Sequence, residues 1–195
     1  MTNYSDATDE ELVLLSIENT AAFGSLVSRY EDRLKRYLWR LGVNQQQDSE
    51  DVLQDAFLKI YKNLRKFDPS LKFSSWAYRI VHNEAINFVR ANKRRPQGNY
   101  VYDGEEALLT IAHKEELGEQ IAVKFEADVM LKAMKELKPK YKDILVLRYM
   151  EGLEYKEISD VLKLPMGSVA THLYRAKKAL AGLMPKPEPA DSKKD

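Results

Sequence analysis

The sequence predicts an all-α protein of two small helical domains joined by a flexible linker, the C-terminal domain being a helix-turn-helix. Apolar residues recur at helical spacing almost throughout the chain. The 195 residues include only 8 glycines and 7 prolines, and no alternation of apolar and polar residues persists long enough to indicate a strand. We expect an N-terminal domain over 8–95, a linker over 96–124, a C-terminal domain over 125–183 and a disordered tail over 184–195.

The N-terminal domain begins with a capping box. Thr8 is followed at the third position by Glu11, and this pair is typical of a helix start. A longer amphipathic helix, with an apolar stripe from Phe23 onwards, is expected to end at Gly42, because glycine tolerates the left-handed conformation of helix ends. The next helix should begin at Asp48.

The last helix of this domain follows a break at residues 67–69 (Phe-Asp-Pro), since a proline disfavours helical geometry in the residue before it. Ser74 or Ser75 is expected to cap that helix, which should end before Pro96.

The linker is indicated by a weak apolar pattern punctuated by Pro96, Gly98, Gly104 and Gly118. Because this stretch offers no strong apolar stripe, we expect the two domains to move relative to one another in the unbound protein. They should pack together only when a partner fixes them.

The C-terminal domain has the spacing of a helix-turn-helix. A helix from Pro139 is expected to end at Gly152, and a short amphipathic helix follows, with a buried face of Ile158, Val161 and Leu162. Residues 164–165 (Leu-Pro) form the turn, because proline is tolerated at the start of a helix. The second helix then buries an apolar stripe of Val169, Leu173, Ala176 and Leu180.

Residues 165–180 hold three basic residues and no acidic residue, so the second helix presents a basic face. Such a helix can enter a major groove, where its N-terminal side chains contact bases and its later cations contact phosphates. An ordinary helical hairpin with a solvated basic face is the alternative for this segment.

Charge is segregated in the N-terminal domain. Residues 48–55 hold four acids and no base, whereas residues 72–95 hold six basic residues and one acid, a local charge of +5 (6 − 1). Within the basic stretch, positions spaced by three or four share one helix face: Trp76, Arg79, Asn83, Asn87 and Arg90. An aromatic ring, amides and guanidinium groups together suit unpaired bases, although Trp76 fits a core position equally well.

Several classes of protein are excluded by the sequence. No cysteine occurs, which excludes disulfides, thiolate zinc sites and cysteine nucleophiles. The acidic N-terminus does not resemble a signal peptide, and no apolar run approaches the roughly 20 residues of a membrane span. His82 and Glu84 lack the spacing of a metal pair, and no nucleophile constellation or phosphate loop occurs. We therefore expect a soluble cytoplasmic protein, without direct membrane insertion, that is not an enzyme and holds no cofactor or metal.

Motifs in both domains carry a family resemblance. They are residues 22–30 (AFGSLVSRY), 51–61 (DVLQDAFLKIY), 73–87 (FSSWAYRIVHNEAIN), 147–149 (LRY), 152–158 (GLEYKEI) and 167–169 (GSV). Together they resemble the extracytoplasmic-function (ECF) sigma factors of the sigma-70 family. The stretch over 51–61 resembles that family's polymerase-clamp-binding helix, and the stretch over 73–87 resembles the segment that melts and reads the minus-ten element. The three C-terminal motifs resemble the fourth region, whose helix-turn-helix reads the minus-thirty-five element.

The resemblance implies a transcription initiation factor that binds core RNA polymerase and directs it to specific promoter DNA, with promoter melting by the N-terminal domain. It also implies an anti-sigma factor as a partner, often membrane-bound. The polymerase-binding residues would be Asp51, Gln54, Asp55, Phe57 and Lys59. Together with the charge pattern, it assigns minus-ten contacts to Trp76, Arg79, Asn83, Asn87, Arg90, Lys93, Arg94 and Arg95. The minus-thirty-five contacts would be Ser168, Thr171, His172, Tyr174, Arg175 and Lys178.

The fourth region departs from the family pattern. Residues 170–172 (Ala-Thr-His) stand where the family often has a basic residue after the valine of the recognition helix. Lys163 replaces a frequent turn glycine, and Ser159 replaces a frequent alanine. We expect the fold to tolerate these changes, but they leave the preferred minus-thirty-five sequence open. The alternative function is a conventional helix-turn-helix regulator that binds an operator and has no need of a clamp-binding helix.

Overall fold

The computed structural model describes Tyr4 and residues 6–93, 129–130 and 132–184. Its N-terminal unit contains a 3₁₀ turn (Leu64–Lys66) and the helices α1 (Asp9–Ser16), α2 (Thr20–Leu41), α3 (Gln46–Lys62) and α4 (Phe73–Lys93). Its C-terminal unit contains helical residues 129–130 and 132–136, α5 (Pro139–Leu145), a π-helical turn (Val146–Met150), α6 (Tyr155–Leu162) and α7 (Met166–Leu183). These residues include no strand, so the prediction of an all-α fold with two helical units is confirmed. The predicted linker over 96–124 and the tail from 185 onwards lie outside the described residues.

Helix ends that depend on neighbouring residues form as predicted. The N–H of Glu11 donates to Thr8 Oγ1 at 3.2 Å, and the N–H of Thr8 donates to Glu11 Oε2 at 2.8 Å, which completes the capping box. α2 ends at Gly42, whose φ of 101° lies in the left-handed region that glycine adopts without strain.

Two helix starts differ from prediction. α3 begins at Gln46, slightly before the expected position. α4 begins at Phe73, so Ser74 and Ser75 lie inside the helix and do not cap it. The N–H of Phe73 donates instead to Glu10 Oε1 of α1 at 2.8 Å. A carboxylate from a distant helix satisfies this helix end, and no local stretch of sequence contains that partner.

An aromatic cluster holds the N-terminal end of α4 on the core. The ring of Phe73 lies within 6.1 Å, centroid to centroid, of three other rings: Tyr30, Phe67 and Trp76. All four residues are buried. Edge-to-face packing of this kind adds to the gain from burying the apolar area of the rings.

The helix-turn-helix forms where it was predicted, with α6 and α7 joined by residues 163–165. Lys163 caps α6 at φ 54° and ψ 40°, and among the described residues no other non-glycine residue has a positive φ. α7 packs on α5 and α6 through a buried stripe of Val169, Leu173 and Ala176.

A buried carboxylate lies between the two units. Glu151 follows the π-helical turn of the C-terminal unit and is 9% exposed. Its two oxygens accept hydrogen bonds from the guanidinium of Arg40 in α2 and from the hydroxyl of Tyr78 in α4, the latter at 2.5 Å. Because Arg40 is also buried, this is an ion pair removed from water. Buried charges require such partners, since their transfer out of water costs several kcal/mol.

A second carboxylate, Glu157, joins α6 to α4. Its Oε2 accepts the N–H of Glu154 at 2.8 Å at the start of α6, while its Oε1 accepts the hydroxyl of Ser74 at 2.9 Å. Lys72 Nζ lies 3.7 Å from the same Oε1. The structure therefore differs from the expectation of units that pack only when a partner fixes them, because the units contact one another directly.

Three more titratable groups are buried close to this contact. Burial raises the pKa of Asp143, in α5, to about 6. Burial also raises the pKa of Tyr37 in α2, and the nearby Asp143 carboxylate raises it further. His82 of α4 places its Nδ1 2.9 Å from the Tyr37 hydroxyl, and burial lowers the pKa of the imidazole to about 4. The neutral form of each group is thus favoured by the fold.

Replacing Lys163 by glycine should raise the free energy of unfolding by about 1 kcal/mol, because a side chain strains the left-handed conformation at this helix end. Urea denaturation followed by circular dichroism would measure the change. Lys163→Ala is the matched control, since it removes the same charge but keeps the strain. An equal gain in the alanine variant would show that charge, and not backbone conformation, limits stability at this turn.

Asp143→Asn should stabilise the protein at about pH 7.5 by on the order of 2–3 kcal/mol, because the amide avoids the cost of a buried carboxylate. The pKa of Asp143 is raised from 3.8 to about 6 in the folded protein. Its contribution to stability is therefore fully present below about pH 4 and is lost as the pH rises through about 6. The advantage of the variant should disappear near about pH 3.5.

Denaturation of both proteins across this pH range would check the expectation. His82 titrates in both, so the difference between them isolates Asp143. A gain that does not vary with pH would attribute the effect to packing of the amide.

Candidate functional site

α4 presents an exposed polar stripe towards its C-terminal end. Asn83, Asn87 and Arg90 are exposed and follow one another at about one helical turn. Arg79 extends the stripe and is half-buried. The helix is continuous over these positions, so they share a face as predicted. Their amide and guanidinium groups can bond to base edges and phosphates.

The indole of Trp76 does not join this exposed stripe. It is 9% exposed, and its ring centroid lies 5.2 Å from that of Phe67 and 6.0 Å from that of Phe73. Trp76 therefore anchors the start of α4 on the core. The side chain of Lys93 and the predicted contacts Arg94 and Arg95 lie outside the described residues.

α3 exposes the acidic and amide side chains that the sequence singled out. Asp51, Gln54 and Asp55 are exposed. They lie on one side of α3, since Gln54 and Asp55 follow Asp51 by three and four residues. Lys59 is also exposed, and its Nζ pairs with Glu84 Oε2 of α4 at 2.5 Å. This ion pair connects the face of α3 to the helix that carries the polar stripe.

An apolar groove of 510 Å³ runs between α2 and α3. Phe57, the remaining predicted polymerase-binding residue of α3, lines it and is 9% exposed, with its ring 6.4 Å from that of Phe23. Leu58 and Tyr61 also line the groove and are 48% and 39% exposed, yet the sequence did not single them out. The available signal was that both are apolar residues of α3 that lie off its buried stripe. Exposed apolar patches of this kind mark surfaces that bind partners.

α7 presents a polar and basic face opposite its buried stripe. Thr171, Arg175 and Lys178 are exposed, as the sequence predicts. Tyr174 is 67% exposed, so its ring is not part of the core.

Ser168 and His172 lie beside that face and are half-buried. The Nδ1 atom of His172 is 2.9 Å from the backbone oxygen of Ser168, one turn earlier. This contact holds the imidazole ring towards the N-terminal end of α7.

Two basic side chains of the C-terminal unit lie over tyrosine rings of the π-helical turn and of α6. The Nζ of Lys177 lies 5.2 Å from the ring centroid of Tyr149, and a hydrogen bond with this tyrosine raises the pKa of the lysine. The guanidinium of Arg148 lies 5.3 Å from the ring centroid of Tyr155. The sequence did not predict these pairs, because Tyr149 and Lys177 belong to different helical segments.

Across residues 6–93 and 132–184, no group of three or more His, Asp or Glu side chains is arranged to hold a metal ion. No helix in the described part of the chain combines the length and the apolar character that crossing a membrane requires.

The two units correspond to two known sequence families. Residues 26–95 match Sigma-70 region 2, and residues 127–180 match Sigma-70, region 4. The first match includes the polar stripe of α4 and the exposed face of α3, and the second includes the helix-turn-helix.

Curated relatives match most of the chain. It is 32% identical over 167 residues to the ECF RNA polymerase sigma factor SigW of Bacillus subtilis (strain 168), which covers 82% of this chain and 87% of that relative. It is also 32% identical over 166 residues to the RNA polymerase sigma-H factor of Pseudomonas aeruginosa, covering 82% of this chain and 84% of that relative.

Solved structures share the fold. CnrH, in complex with the cytosolic domain of CnrY, matches 90% of this chain and 96% of its own with a TM-score of 0.63 and 24% identity. The sigma factor RpoE from Bartonella quintana, in complex with the anti-sigma factor NepR, matches 83% of this chain and 95% of its own with a TM-score of 0.56 and 16% identity. The matches to both sigma-70 regions and the identity with ECF relatives over most of the chain lead to one conclusion: the protein belongs to the ECF sigma factors of the sigma-70 family.

Proposed function

We propose that the protein is a transcription initiation factor that binds core RNA polymerase and directs it to specific promoters. The observation that carries this proposal is the match of one chain to both sigma-70 regions, 2 and 4. An operator-binding regulator would account for the helix-turn-helix alone. Sigma factors are initiation factors without an enzymatic activity, so the chemistry of transcription belongs to the polymerase.

The polymerase-binding surface is proposed to lie on α3 and the adjoining groove. Asp51, Gln54 and Asp55 supply an exposed polar face, while Phe57 lines the groove beside them. Protein interfaces commonly combine an apolar centre with a polar rim, which this arrangement offers. Lys59 would also contact the polymerase, and in the unbound protein its ammonium is paired with Glu84.

The minus-ten element is proposed to bind the stripe of α4. Arg79, Asn83, Asn87 and Arg90 offer donors and acceptors for unpaired bases and cations for the backbone, and Lys93, Arg94 and Arg95 would extend the basic stretch. Trp76 supports this surface from beneath in the structure, and stacking of its indole on a base would require it to leave the contact with Phe67.

The minus-thirty-five element is proposed to bind α7 in its major groove. Thr171 and His172 lie in the N-terminal half of the helix, where recognition helices contact base edges. Ser168, Tyr174, Arg175 and Lys178 would hold the backbone around them.

An anti-sigma factor is proposed as the regulatory partner, and the fold shared with CnrH and RpoE, both solved as complexes, supports it. The protein would act in the cytoplasm, held at the membrane where its anti-sigma factor is membrane-bound.

Reversing the charge of Asp51 and Asp55 to lysine should weaken binding to core polymerase by at least tenfold, because the variant places cations on a surface built for a complementary partner. Titration of labelled protein with core polymerase, without DNA, would measure affinity. Asp32→Lys with Glu136→Lys is the control, since both acids are exposed outside α3 and the net change in charge is the same. Equal losses in the two variants would indicate a general charge effect and refute the assignment of α3.

Asn83→Ala should impair promoter opening more than closed-complex binding, because its amide would contact a base only after the strands separate. Permanganate footprinting of thymines would report opening, and gel shift would report closed binding. A template with a pre-melted bubble at the minus-ten element should largely restore activity. Equal losses in both assays, unrelieved by the bubble, would give Asn83 a structural role.

A further inference from the structure

The imidazole of His172 has a defined hydrogen-bonding state. Its Nδ1 lies 2.9 Å from the backbone oxygen of Ser168. A carbonyl oxygen only accepts hydrogen bonds, so Nδ1 must carry the hydrogen and donate it. In the neutral ring this leaves Nε2 without a hydrogen, and Nε2 is then a hydrogen-bond acceptor. The backbone of α7 thus selects which ring nitrogen can accept.

The accepting nitrogen is available to a ligand. His172 is half-buried, and within the described residues its Nε2 has no hydrogen-bond partner. The bond to Ser168 holds the ring towards the N-terminal end of α7, the end of a recognition helix that reaches base edges. The contact therefore fixes both the position and the character of this group.

No other side-chain group on this helix accepts hydrogen bonds without also being able to donate them. Residues 165–180 contain no aspartate or glutamate, which are the usual partners of a cytosine amino group. The hydroxyls of Ser168 and Thr171 donate as readily as they accept, and Arg175 only donates. The Nε2 atom of His172 is therefore the side-chain group on this face that accepts without also being able to donate.

We propose that His172 reads one base of the minus-thirty-five element through the exocyclic amino group of adenine or cytosine, and discriminates against guanine and thymine. This inference rests on the proposed role of α7 in promoter recognition. In the major groove, adenine N6 and cytosine N4 are donors, whereas guanine O6 and N7 and thymine O4 are acceptors. Two acceptors facing one another repel, so the lone pair of Nε2 disfavours guanine and thymine.

The test uses the full chain bound to core polymerase and a promoter library randomised across the minus-thirty-five element, with transcripts sequenced. One position should favour adenine or cytosine over guanine and thymine by about tenfold, which is the discrimination that one good base contact supplies. The base that is preferred shows whether His172 contacts the amino group of adenine or that of cytosine.

Substitutions identify the residue that reads that position. His172→Ala should abolish the preference there and leave the other positions unchanged. His172→Arg, which offers donors only, should move the preference at the same position to guanine. Circular dichroism of both variants would establish that α7 still folds.

Arg175→Ala separates this inference from the proposed function. It should weaken binding to every sequence and reduce the salt dependence of binding, because it removes a phosphate contact. If Arg175→Ala has this effect while His172→Ala leaves every base preference intact, the inference is overturned and the role of α7 stands. If neither variant changes promoter use and no position of the element shows a preference, the proposed role of α7 fails as well. A wild-type preference for guanine or thymine at the position that His172→Ala alters would also overturn the inference.

Discussion

Glu151 receives a hydrogen bond from Arg40 and another from Tyr78, and these three buried groups come from both helical units. Removing one partner of a buried ion pair typically costs about 3–5 kcal/mol, because the remaining charge is left without compensation. The buried charge of Arg40 depends on Glu151 for compensation, because in the described part of the chain the Nε of Arg40 has no hydrogen-bond partner. The two units are held together by this contact, by the link between Ser74 and Glu157, and by the packing of α4 on α6, which makes one continuous apolar core.

α4 connects this contact to the proposed functional surfaces. Its first turns pack into the aromatic cluster and reach Glu151 through Tyr78, while its later turns expose Asn83 and Asn87. One rigid helix thus carries both the contact with the C-terminal unit and the proposed minus-ten surface. The polar and basic face of α7 lies opposite the stripe of that helix that is buried. Packing of the units therefore leaves its polar residues exposed.

Features that depend on a few neighbouring residues were predictable from the sequence. The capping box at Thr8, the end of α2 at Gly42 and the helix-turn-helix all formed where they were expected. Features that depend on distant partners were not predictable. Glu10 caps α4 from 63 residues away, and Arg40 meets Glu151 across 111 residues. Helical periodicity shows that a face is buried but not what it meets, which is why it could not decide whether Trp76 belonged to the core.

The ion pair between Lys59 and Glu84 has a thermodynamic consequence. It joins the helix proposed to bind polymerase to the helix proposed to hold melted DNA, and Glu84 is the next residue after Asn83. A partner that draws the ammonium of Lys59 away changes the charge felt beside Asn83, and by linkage a ligand at Asn83 changes the affinity for that partner by the same factor. Ion pairs at a protein surface typically contribute about 1 kcal/mol or less, so the cooperativity that this pair transmits between the two surfaces is roughly fivefold.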